Sequence, residues 1–216
     1  MEHVFVETNW VVGYAAPAHF REPSAVELLH RAERCEIELY VPNLALIEAR
    51  KVILTRDRYQ ARDEVAGMRE FLKRQIAAGN LRSSSRVEMD AVLSQYETHL
   101  NTERVKAPER IAELAANPRV NVLALDEEML RRSTELATTP RIELQSFDLA
   151  VLASVLVWAD RRRPGGQLLS FCEKDSDLQP WNKDGSRRLP IADLYDDAGV
   201  WVYGDYTMSR PPRKRK

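Results

Sequence analysis

Val4-Phe5-Val6-Glu7-Thr8-Asn9 is the stretch that decides the fold. Three consecutive apolar residues without polar alternation suit a strand buried on both faces, as strands are in parallel sheets covered by helices. Glu7 follows at once, and ligands of open α/β sheets bind beyond the carboxyl ends of strands. A second run, Leu168-Leu169-Ser170-Phe171-Cys172, is also followed by acids, Asp175 and Asp177. Ile37, Leu39 and Val41 alternate as a strand does until Pro42, and Val120 to Leu125 and Gly199 to Tyr203 supply further strand-like segments. Helical spacing fills the intervals. Pro23 to Arg31 carries Val26, Leu29 and His30, and a helix capped by Asn43 shows the face Leu44, Ile47, Glu48, Val52. Asp126 stands where an N-cap belongs, ahead of Glu127-Glu128-Met129-Leu130. A long helix is expected from about Ser146 to Arg162, closed by arginines and Gly165-Gly166. Strands alternating with helices predict an α/β fold, a three-layer sandwich around a mostly parallel sheet.

From about 54 to 117 no strand is evident. Val65, Met68, Leu72 and Ile76 keep one helical stripe as far as Gly79-Asn80. Met89, Val92, Leu93, Tyr96 and Leu100 begin another, and Pro108 starts a third short helix. The block is read as a helical insertion that serves as an interaction element. Its apolar stripes must be covered by the sheet domain or by another chain, most simply in a homodimer.

A chain of 216 residues, 44% hydrophobic and 30% charged, reads as one globular core with a helical appendage. The net charge of -1 is uneven. Five positive charges lie in the tail 210–216, which leaves 27 basic against 33 acidic residues elsewhere, a balance of -6. Such a body favours cations and does not announce nucleic acid by itself. Cys35 and Cys172 fit no paired spacing and are expected as reduced core residues of a cytoplasmic protein. No secretory signal is expected. The longest apolar stretch, Leu149 to Ala159, is broken only by Ser154 and covers 11 residues, against about 20 for a membrane span.

Two further acids break helical stripes. Glu48 lies four residues from both Leu44 and Val52, and Asp148 falls between Leu144 and Leu152. A charge on a core-facing row is costly unless it is paired or binds a cation. Singly, acids after strands such as Glu7 and Asp175 are most often turn or cap residues, and a structural salt bridge would rescue Glu48 or Asp148. Together, the four suit a shared site for a hard cation, Mg²⁺ or Mn²⁺, since no His or Cys cluster accompanies them.

At these residues the chain resembles PIN-domain nucleases, the group that includes VapC-type toxins. Val4-Phe5-Val6-Glu7-Thr8-Asn9 resembles their opening strand and D-T-N signature. Leu44-Ala45-Leu46-Ile47-Glu48-Ala49-Arg50 resembles the second motif, a helical glutamate. Phe147-Asp148-Leu149-Ala150-Val151-Leu152-Ala153 is similar to the third, an aspartate opening an apolar helix. Leu168-Leu169-Ser170 followed by Asp175-Ser176-Asp177-Leu178 is similar to the fourth, a strand followed by D-x-D-F. The likeness covers about 3–205, with a longer helical middle than compact members have. Two departures stand out. Glu7 replaces the first aspartate and is one methylene longer, and Glu173-Lys174 are inserted before Asp175, so that Asp175 and Asp177 compete for one ligand role.

The resemblance implies a PIN-like domain over 1–206 with the insertion at about 54–117; the basic stretch 207–216 is expected, from its composition, to be a disordered tail. It implies a metal-dependent endoribonuclease in which a metal-activated water attacks the phosphodiester in line. Glu7, Asp148 and Asp175 or Asp177 would ligate Mg²⁺ or Mn²⁺, and Glu48 would bind a second ion or orient the water. Thr8, Asn9 and Ser170 would support them through hydrogen bonds, although Asn9 and Ser170 read equally as plain turn residues. Trp10 and Tyr14 would stack on a base or pack in the core. Cations to offset the RNA backbone are sought at Arg56-Asp57-Arg58, at 161–163 and in the tail. An antitoxin-like inhibitory protein is the further partner implied. A catalytically degenerate RNA- or protein-binding module is the alternative reading, and a receiver or phosphatase-like domain is third, since Glu7 stands where a nucleophilic aspartate would be wanted.

Overall fold

The computed structural model describes residues 1–56, 62–162, 168–182 and 184–209. Among the described residues five strands form one sheet: β1 (Glu2–Val6), β2 (Ile37–Pro42), β3 (Val120–Leu123), β4 (Leu169–Cys172) and β5 (Val200–Tyr203). Their order is β3-β2-β1-β4-β5, and every neighbouring pair is parallel. The sheet is thus wholly parallel, where a mostly parallel one was expected. Val4, Phe5 and Val6 are fully buried at its centre because both faces are covered.

On one face lie α1 (Thr8–Ala15), α2 (Pro23–Glu33), α3 (Asn43–Thr55) and α6 (Ala107–Ala116). Trp10, Leu28, Ile53 and Leu114 from these helices share a core with Val4, Val6 and Leu39. The other face carries α7 (Glu127–Thr138), α8 (Ser146–Arg162) and α9 (Ile191–Ala198), whose Leu136, Leu152 and Tyr195 pack with Phe5, Tyr40 and Phe171. Alternate residues of β1 therefore feed opposite cores, as the strand's two-residue period requires. The result is the expected three-layer α/β sandwich. The chain runs outward from β1 to β2 and β3, then crosses to the far side of β1 for β4 and β5. The reversal makes the β1 and β4 carboxyl ends a switch point, where such sheets open a crevice.

Several local expectations change. Asn43 is the first residue of α3 and makes no capping bond; Pro42, held extended at φ -60°, sets the boundary, and Asn43 Oδ1 is buried without a partner. The buried face of α3 is Ala45, Ala49, Val52 and Ile53, while Ile47 is 66% exposed, so Glu48 sits at the margin of the core. α8 is buried all round from Leu149 to Ala159, leaving no stripe for Asp148 to interrupt, and Leu144 precedes the helix. α2 buries Ala25, Leu28, Leu29 and Ala32, and His30 is exposed. Cys172 is buried, but Cys35 lies exposed in a turn at φ 60°, so only one of the two free cysteines is a core residue. Asp126 does cap α7, accepting from Met129 N at 2.9 Å.

The helical excursion is narrower than 54–117, since α3 extends to Thr55 and α6 belongs to the main core. What projects is α4 (Arg62–Ala77) and α5 (Ser83–Val105), with the turn after α4 made by Gly79 at φ +74°. Val65 and Leu100 form a small core of their own with Phe20 and Leu93. Met68, Phe71, Val87 and Val92 stay exposed. Met208 packs against the main core and meets Arg31 Nη1 at 3.3 Å, so the tail cannot begin at 207. Residues 210–216 lie outside the described set. No helix of the described residues is long and apolar enough to cross a membrane.

Candidate functional site

Glu7, Glu48, Asp148 and Asp175 line one pocket of about 60 Å³ at the switch point. They arrive from four separate places: the end of β1, the middle of α3, the first turn of α8 and the loop after β4. Val52, Phe147, Val151 and Leu178 supply its apolar walls, so the acids meet in a partly desolvated space. The space is large enough for water or a hydrated ion beside the acids.

Glu7 caps α1. Its backbone is extended (φ -129°, ψ -165°), which turns the side chain back on the helix so that Oε2 accepts from Asn9 N at 2.7 Å. Oε1 is buried and has no hydrogen-bond partner. Burial pushes this carboxyl up to about 8 against the opposing Asn9 bond, and the charges of Asp175 and Glu48 add to the rise. Asp148 is pushed up to about 6, first by burial and then by Asp175, Glu48 and Asp177. Glu48 is held by Thr8, whose Oγ1 donates to its Oε2 at 2.6 Å. Thr8 thus bonds to Glu48 through its hydroxyl, and Asn9 to Glu7 through its backbone N–H.

Asp175, not Asp177, lines the pocket. Asp175 Oδ1 accepts from Asp177 N at 2.8 Å, and the Asp177 carboxylate lies 3.9 Å from Arg188. Ser170 does not support the site. It sits opposite Val4 within the sheet, and its hydroxyl donates to Glu2 at the other end of β1. Trp10 is fully buried and donates to Ala25 O at 3.1 Å, which makes it core and not a base platform, while Tyr14, stacked beside it, is partly buried against the same core. Of the proposed cations, Arg56 lines the pocket. Asp57, Arg58, Arg163 and the tail lie outside the described residues. Arg161 is paired with Asp126 and Glu128, and Arg162 lies over the Trp158 ring. At about 1.5 Å per helical residue, both stand roughly 20 Å from Asp148 along α8.

Glu173 is a buried acid that sequence reading passed over as an insertion. Val6 pairs with Cys172, so Glu7 and Glu173 leave neighbouring strands at the same level. The repeated Phe5-Val6-Glu7 and Phe171-Cys172-Glu173 was the available signal. Glu173 is fully buried and its carboxyl is raised well above the ordinary range, by burial first and then by Glu7.

The residues fit a hard divalent cation in kind: oxygen donors, apolar walls and a buried carboxylate oxygen without a partner. Among the described residues, however, no three Asp, Glu, His or Cys side chains form a set that would hold an ion as they stand. The acids ring the pocket without closing on one point, the arrangement like-charge repulsion favours. In comparisons with known proteins, the chain matches no family model and no curated protein sequence.

Proposed function

We propose that the protein is a metal-dependent ribonuclease that hydrolyses RNA phosphodiester bonds, with Mg²⁺ or Mn²⁺ held by Glu7, Asp148 and Asp175. One observation carries the reading: four acids from four distant segments line a single pocket at the sheet's switch point. The cation would supply Lewis acidity, lowering the pKa of a water and offsetting charge on the phosphate. Glu48, fixed by Thr8 through one oxygen, has its other oxygen available to accept a proton from the attacking water. Arg56, at the pocket lining, would meet a phosphate oxygen that the acids would otherwise repel. Val52, Phe147, Val151 and Leu178 beside the acids lower the local polarity and so strengthen these charges. The choice of RNA follows the resemblance of the four motifs to PIN-domain nucleases.

A toxin restrained by a partner protein, and a homodimer, belong to the same reading; Met68, Phe71, Val87 and Val92, exposed on α4 and α5, support a partnered surface there. A cytoplasmic setting suits the exposed free thiol of Cys35. The second reading is a degenerate binding module, favoured by Glu7 in place of aspartate and by the open arrangement of the acids.

Incubation of the purified protein with mixed single-stranded RNA separates the two. The nuclease reading expects cleavage in Mn²⁺ that stops on adding EDTA. RNA left intact at every pH, or cut equally in EDTA, would leave the binding module ahead.

A further inference from the structure

Glu173 has no place in the four-acid scheme, yet it is the most deeply buried acid beside the site. It is fully buried, and its Oε1 accepts from the backbone N–H of Asp175. Its Oε2 is buried with no hydrogen-bond partner, which is also the state of Glu7 Oε1 one strand away. Leaving a buried polar group unsatisfied is costly, and more so when it is charged. Two such oxygens at one level of adjacent strands therefore call for a common partner.

No ion pair joins either group among the described residues, and Arg56, at the pocket lining, lies within ion-pair distance of neither. Lys174, next in sequence, turns to Glu22 and lies over the Tyr206 ring, with Nζ 4.8 Å from its centroid. The charges that act most on Glu7 are those of Asp175 and Glu48, and on Glu173 those of Glu7, Asp175 and Asp148, all of them acidic. The Tyr206 hydroxyl, buried and also without a partner, is close enough to feel both glutamates, but it is one weak donor for two carboxylates.

We propose that Glu173 is a fifth carboxylate of the cation site, binding through Oε2 the same divalent ion that Glu7 binds through Oε1. This rests on the metal-site reading above and extends it. It also gives a use to the Glu173-Lys174 insertion. Glu173 adds a ligand from the sheet itself, while its Oε1 fixes the Asp175 backbone and hence the loop that carries the next ligand.

Isothermal titration of MnCl₂ into the full chain tests it, using wild type, Glu173→Gln and Glu7→Gln. Glutamine keeps an oxygen to accept from Asp175 N–H, so a purely structural Glu173 would lose little. Glu173→Gln is expected to bind Mn²⁺ at least about tenfold more weakly, with the Mn²⁺-induced rise in melting temperature shrinking in parallel. That second readout reports on folding as well as binding. Glu173→Asp, which keeps the charge but withdraws it by one methylene, is expected to fall between the two. Wild-type affinity in Glu173→Gln alongside a loss in Glu7→Gln would overturn the role of Glu173 and leave the metal site standing. A wild-type protein that takes up no Mn²⁺ would remove both.

Discussion

Replacing Asp148 or Asp175 by asparagine is expected to lower Mn²⁺-dependent RNA cleavage by about 10²- to 10³-fold with the fold intact, the size of effect seen when one preorganised electrostatic group is removed. Asparagine keeps the shape and one oxygen but loses the charge that draws a cation into an apolar-walled pocket. Neither aspartate is an indispensable structural group. Asp148 sits half-buried in the first turn of α8, where asparagine is also accepted, and Asp175 Oδ1 accepts a turn bond from Asp177 N that an amide oxygen can retain. Circular dichroism should therefore be unchanged. Asp177→Asn, outside the pocket lining, is expected to stay within a few-fold of wild type. Equal losses at Asp175 and Asp177 would show that the loop after β4 presents a different acid from the one described. Full activity in both Asp148→Asn and Asp175→Asn would end the metal-site reading.

Stability in EDTA is expected to fall as pH rises from about 4.5 to 8, and Mn²⁺ to restore it most at the alkaline end. Glu7 ordinarily titrates at 4.5 and is raised to about 8 in the fold. Between those values the folded protein holds a proton that the unfolded chain has released, so folding takes up a proton and stability declines with pH. The contribution is fully present below 4.5 and lost above 8. Asp148, raised from 3.8 to about 6, adds a smaller decline at the acid end because it is partly exposed. Mn²⁺ binds the ionised carboxylates, so its stabilising effect should grow in the same direction. Thermal melts at pH 5 and pH 8, with and without Mn²⁺, measure both slopes. Glu7→Gln should reduce the EDTA slope, leaving the part that Glu173 and Asp148 contribute, and raise the alkaline melting temperature, since its amide oxygen still accepts from Asn9 N. An EDTA slope unchanged by that substitution would mean that Glu7 is not the buried acid it is taken for.

The layered α/β fold was legible because its signals are local. The unbroken apolar run of Val4 to Val6 marks a strand covered on both faces, and the arginines ending α8 mark a boundary that falls at Arg162. The acids of the pocket were legible for the same reason, each standing against an apolar background in its own segment. What was not legible depends on pairing between distant segments. Glu173 reads locally as a turn residue, and only the alignment of Val6 with Cys172 brings it level with Glu7. Ser170 reads as a neighbour of the site. At about 3.3 Å per residue, though, its register with Val4 leaves it roughly 10 Å short of Glu7. The α3 stripe was misjudged by about one position, because alanines at Ala45 and Ala49 carry the close packing in place of the larger Leu44 and Ile47. Burial there follows helix–helix approach, which residue size does not reveal.

Anomalous diffraction at the manganese edge, from crystals soaked in MnCl₂, tests the cation site most directly. A peak is expected inside the pocket, with carboxylate oxygens of Glu7 and Asp175 at about 2.0–2.2 Å. An accessible pocket that shows no anomalous peak, or manganese bound only to surface acids elsewhere, would contradict it.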